Sequence, residues 1–159
     1  MSEQGTPKTI IVDATNQILG RLSSIVAKKL LEGYKVIIVN AEKAVVSGEP
    51  KRVIMGYKLL ERVRTLRNPY KGGIRRPKAP DRILKRTIRG MLPIEKPKGR
   101  NAYKRLRVYI GVPEDLIKKE KEFIRFREAD ASRLQNKFIT LLELSKHLGW
   151  RGAYVEQGK

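Results

Sequence analysis

The stretch TIIVDATNQILGRLSSIVAKKLLEGYKVIIV, residues 9–39, decides the fold. From Thr9 to Asp13 it runs through Ile10, Ile11 and Val12, an unbroken β-branched series that marks a short strand. From Gly20 to Leu31 the apolar residues Leu22, Ile25, Val26 and Leu30 recur every three or four positions; Lys28 and Lys29 lie near the end and Gly33 stops the pattern. That spacing predicts an amphipathic helix. Val36 to Val39 is again wholly apolar, and a strand without polar alternation is buried on both faces, as in a parallel sheet covered by helices. Strand, helix, strand implies a right-handed crossover and an α/β protein.

Outward from this unit the pattern continues. Ala44 to Ser47 fits a third, brief strand, and Gly48 and Pro50 turn the chain into a helix expected from Lys51 to Arg67, with Val53, Tyr57 and Leu60 on one face. Asn68 and Pro69 end it. Tyr70 to Pro80, with Gly72, Gly73, Pro77 and Pro80, reads as a loop, and Asp81 to Leu92 as a helix with Ile83, Leu84, Ile88 and Leu92 inward. Glu95 to Lys104 reads as a second loop. Leu106, Val108 and Ile110 alternate with Arg107 and Tyr109, which predicts a strand. Glu114 to Glu122 reads as a short charged helix, and Thr140 with Glu143 as a capping box opening a helix that reaches Gly149. The expected organisation is a flexible segment at 1–8, a core at 9–122 with basic loops at 67–82 and 94–105, and a C-terminal appendage at 123–159 with a helix near 140–149.

Charge is concentrated. Between Arg62 and Arg107 stand seventeen Lys or Arg residues against Asp81 and Glu95, so this stretch supplies +15 of the net +20. Elsewhere nineteen basic residues face fourteen acidic ones, an ordinary mixed surface. Unpaired positive charge opposes folding until a polyanion arrives, which points to nucleic acid. In the first loop Arg67, Lys71, Arg75, Arg76 and Lys78 flank Gly72 and Gly73, which would let the backbone approach a phosphate. On the helix that follows, Arg82, Lys85, Arg86 and Arg89 are available outward. Only Tyr70 and Tyr103 are aromatic in the stretch, and each reads as a packing residue with a wet hydroxyl rather than a stacking platform. Binding through phosphates to folded RNA fits this better than a sequence-specific DNA site.

Other chemistries find little support. There is no cysteine, which excludes disulfides, thiol catalysis and Cys-based zinc sites, and the single histidine, His147, supports no metal site. The turn from Asp13 to Gly20 holds one glycine and lacks the patterns that cradle a pyrophosphate. Asp13, Glu32, Glu42 and Glu49 are scattered, with no partner base. No enzyme, cofactor or small-molecule substrate is expected, nor a membrane span, nor an obligate homo-oligomer. Two alternatives stay open: an enzyme binding a phosphorylated ligand near Gly20, and a DNA-compacting protein. Met1 to Lys8 lacks the apolar core of a secretory signal, so a cytoplasmic location is expected.

The segment Ile88-Arg-Gly-Met-Leu-Pro93, Gly99-Arg100 and Leu106-Arg-Val-Tyr-Ile-Gly111 resembles the signature of the large-subunit ribosomal protein thirteen family. Asp13-Ala14 with Ile18-Leu-Gly-Arg-Leu22, and Val39-Asn-Ala-Glu42 with Ser47-Gly48, resemble it too. Arg100 to Arg105 and the tail Glu128 to Trp150 look like the archaeal and eukaryotic branch. The resemblance implies a three-layer α/β sandwich, a small, mostly parallel sheet of about four strands between helices, with a helical C-terminal appendage. It also implies a structural role on the ribosome, with large-subunit ribosomal RNA and neighbouring large-subunit proteins as partners. Within the signature, Arg89, Lys96, Lys98, Arg100, Lys104 and Arg105 are expected to face phosphate, and Arg107 fits either that role or packing. Met91 and Leu92 are expected in the core, with Gly90 permitting close packing.

Overall fold

A computed structural model of the chain describes residues 8–63, 66–72, 75–117 and 122–152. Expectations for the segment before Lys8, for Gly73, for the far end of the helix predicted at Glu114 to Glu122 and for the last seven residues fall outside these.

The strands β1 (Thr9–Asp13), β2 (Lys35–Val39), β4 (Leu106–Val108) and β5 (Phe123–Ile124) form one parallel sheet in the order β4-β2-β1-β5. β1 and β2 align residue for residue, Thr9 with Lys35 through Asp13 with Val39. The third strand, β3 (Val45–Ser47), pairs instead with β6 (Phe138–Thr140) in a separate antiparallel ribbon. β5 lies in a segment that sequence periodicity leaves unassigned. A two-residue strand carries no period.

Helix α1 (Leu19–Leu31) buries Leu22, Val26 and Leu30 completely, the row its spacing predicts, against α4 (Pro80–Gly90). From α4 come Leu84 and Ile88, from β2 Ile38, and from β4 Leu106, all fully buried in the same core. Each such side chain contributes about 1.5–3 kcal/mol of burial free energy. The C-terminal helix α7 (Leu141–His147) is capped by the Thr140 hydroxyl, which accepts from the Glu143 amide at 3.3 Å. It sends Leu141 and Leu144 into that core as well.

Several local expectations change. Helix α2 (Pro50–Arg62) stops before Arg67, and a single turn, α3 (Pro69–Gly72), occupies part of the expected loop. The second basic segment is not a loop: α5 (Pro97–Lys104) is helical, with Pro97 at the first position, where a missing amide hydrogen is harmless, and Ala102 buried. Between β4 and β5 lies the short α6 (Glu114–Ile117). Met91 is 43 % exposed, because the chain leaves the helix there and Leu92 continues the inward row of Leu84 and Ile88. Gly90 has open space around its Cβ direction, whereas a Cβ on Gly99 would overlap the Pro93 backbone carbonyl. Close packing in the signature therefore belongs to Gly99.

Candidate nucleic-acid interface

On α4, Arg82, Lys85, Arg86 and Arg89 sit three, four and seven residues apart, so they share the face opposite Ile83, Leu84 and Ile88. Arg75 and Arg76 come alongside from the preceding segment. Together these six cations line a concavity of about 310 Å³, closed by Pro77 and Tyr103. No carboxylate lines it. Lys85 Nζ stands 5.4 Å from the centre of the Tyr103 ring, a cation–π contact that steadies the lysine over the floor.

The other residues singled out from the sequence lie outside this hollow. Lys78 pairs with Glu61 of α2 at 3.3 Å, which ties the 75–78 segment to the body. Arg67 precedes α3 and Lys71 lies on it, both exposed. Lys96 precedes α5, which carries Lys98, Arg100 and Lys104, all four exposed; the Arg100 guanidinium donates to the Glu95 carbonyl at 2.9 Å. Arg105 is half-buried, and its Nη2 donates to the Leu30 carbonyl at 2.7 Å, holding the end of α1 to the turn before β4. Arg107 is exposed on β4.

The two tyrosines part company. Tyr103 is partly buried against the core and forms part of the basic hollow. Tyr70 is 96 % exposed rather than packed, since the single turn that carries it does not bring it to the core.

At the carboxyl ends of β1 and β5, where an α/β sheet ordinarily binds a ligand, the space is filled from within. Asp13, buried, accepts from the Arg125 guanidinium at 2.6 and 2.9 Å, from Asn40 Nδ2 at 3.0 Å and from the Thr15 hydroxyl at 2.7 Å. Burial by itself would raise the Asp13 pKa; the hydrogen bonds from Asn40, Thr15 and Arg125 outweigh it and bring the carboxyl from 3.8 to about 2. Asn40 reaches Asp13 from a left-handed backbone conformation, φ 54°, that asparagine tolerates. The turn amides are engaged too: Asn16 donates to the Lys43 carbonyl, Gln17 to Ala14 and Ile18 to Ala129. They are not turned toward a phosphate. Sequence reasoning missed Arg125, 112 residues from its partner. Its one signal was an acid ending a buried strand, which requires a partner from somewhere.

Among the described residues no group of His, Asp or Glu is arranged to hold a metal, and no helix is long and apolar enough to cross a membrane.

Residues 7–115, which contain β1, β2, β4 and the basic face, match the family described as Ribosomal protein L13. This chain belongs to the ribosomal protein L13 family. Relatives in that family include the large ribosomal subunit protein uL13 of Saccharolobus solfataricus, 53% identical over 152 residues, covering 96% of this chain and all of the relative. That of Sulfolobus acidocaldarius is 56% identical over 140 residues, 88% of this chain and 93% of the relative. That of Methanocaldococcus jannaschii is 45% identical over 139 residues, 87% and 96% respectively. The L13 family match contains every residue of the hollow, whereas Arg125 and α7 lie beyond it and are covered by the likeness to the whole-length relatives.

Proposed function

We propose that this chain is a structural, non-enzymatic protein of the large ribosomal subunit. It binds folded large-subunit ribosomal RNA through the hollow on α4 and assists subunit assembly on the ribosome. The observation that carries the reading is the set of six cations around Tyr103 with no carboxylate among them, four of them mounted on a helix whose other face is core. Such a hollow neutralises phosphates from more than one strand, so it favours places where RNA helices approach each other. Arginine forks suit phosphate oxygens, and no base-reading element is needed for recognition by shape. Neighbouring large-subunit proteins are the other expected partners.

Co-sedimentation of the tagged chain with large subunits after a high-salt wash tests this. Retention is expected for the wild type, with loss when Arg82, Arg86 and Arg89 are all changed to Gln. A wild-type chain that stays at the top of the gradient, or a triple variant that is retained in full, contradicts the reading.

A further inference from the structure

Helix α2 has no fully buried residue. Val53, Ile54 and Tyr57 are only partly buried against the core, while Met55 is 64 % and Leu59 54 % exposed. Ile54, Met55 and Leu59 form the floor of a groove of about 550 Å³ whose rim carries Lys51, Lys58 and Arg62. His147, at the end of α7, closes one side. Contiguous exposed apolar side chains rimmed by charge mark a contact surface rather than a solvated helix.

From this we propose that the α2 groove is the docking site for a segment of a neighbouring large-subunit protein, one with apolar anchors flanked by Asp or Glu. The inference rests on the ribosomal reading above and adds a second, separate surface to it. Charge complementarity selects the occupant. The three rim cations have no ion pair with a carboxylate of this chain among the described residues: Glu49 pairs with Arg52, and Glu61 with Lys78. An acidic flank would supply the missing partners at the rim, where polar contacts of a protein interface belong, while apolar anchors cover Met55 and Leu59. Methionine suits such a floor because its unbranched thioether adapts to the incoming side chain. RNA would satisfy the rim but lay a polar backbone over the floor. A second copy of this chain, docked through the same face, would bring Lys51, Lys58 and Arg62 against their own duplicates.

The test introduces p-benzoylphenylalanine at Met55 in the full chain, isolates assembled large subunits by sedimentation, irradiates them and sequences the crosslinked product. The expected product is a peptide of another large-subunit protein with Asp or Glu beside its apolar crosslinked residue. Its yield should fall about tenfold or more when Lys51 and Lys58 are both changed to Glu, as reversal of two rim charges predicts. The same double change should leave the salt dependence of RNA binding at the wild-type value, since the α4 hollow is untouched. A crosslink to RNA, to a second copy, or to a peptide whose yield ignores the charge reversal overturns the proposal, as does no crosslink from chain recovered in the subunit. A lowered salt slope in the Lys51/Lys58 variant overturns it as well, because the rim would then be holding phosphate. If the chain never enters the subunit, the ribosomal reading itself fails and this proposal falls with it.

Discussion

Changing Arg82, Arg86 and Arg89 together to Gln removes half of the six cations that line the hollow while leaving its apolar support in place. All three side chains are exposed, and no hydrogen bond or ion pair to another described residue holds them, so the folded chain loses little. Gln is close to Arg in helix propensity, and removing like charges relieves repulsion along α4. The melting temperature should therefore hold or rise slightly. Binding should change in a specific way. If each of the six cations neutralises one phosphate, log K falls with log salt at a slope of about −5.4, and K drops about 1,800-fold between roughly 50 and 200 mM salt. The triple variant should show a slope of about −2.7 and a drop of about 40-fold over the same range. The slope is the decisive readout, because a merely weakened or partly unfolded protein loses affinity without losing counterion release in this proportion. The assay is fluorescence anisotropy with a labelled large-subunit RNA fragment across a salt series, with circular dichroism as the folding check. A folded variant with the wild-type slope would refute the assignment of this face to phosphate. A wild-type drop of less than about tenfold would refute it too, since that corresponds to fewer than about two contacts.

Two further outcomes concern the scaffold. The Asp13 carboxyl titrates at about 2 in the folded chain against an ordinary 3.8, so the stability it confers is present above about pH 4 and lost as pH falls toward 2. It amounts to about 2 kcal/mol. Urea unfolding of the wild type and of Asp13→Asn should show a gap that narrows by that order between about pH 6 and pH 2; a gap independent of pH would mean the carboxylate is not what holds Arg125, Asn40 and Thr15. Gly99→Ala should lower stability by about 2 kcal/mol, a melting shift of about 4–8 °C, because the new Cβ must push the Pro93 carbonyl away. Gly90→Ala, in open space, serves as the control, and equal losses for the two would be inconsistent with this account.

The parts of the fold with a strong period were legible before any coordinates. Ile10 to Val12, the α1 row Leu22, Val26 and Leu30, and Val36 to Val39 took up the predicted strand, helix and strand, because burial on a regular element leaves a repeat in the sequence. Short elements left none. The two residues of β5 and the helical turns of α5 are held by what they pack against: β5 by its ladder to β1, α5 by Ala102 in the core and the close approach at Gly99. The candidate site divided the same way. Arg82, Lys85, Arg86 and Arg89 could be placed on one outward face from spacing alone. That Arg75 and Arg76 join them, and that Arg105 turns inward to the Leu30 carbonyl, could not be.

Residue identity by itself determined the α/β class, the excess of positive charge between Arg62 and Arg107, and, through the uncharged residues around Leu92 and Pro93, the family. These properties are local: propensity, periodicity and charge add along a chain, and a signature is read in order. Only the tertiary structure decided which cations share a hollow, that Asp13 meets Arg125 across 112 residues, and that α2 keeps Met55 and Leu59 at the surface. Those depend on which faces are brought together, and a charge or a methyl group carries no record of its distant neighbour until the core has closed.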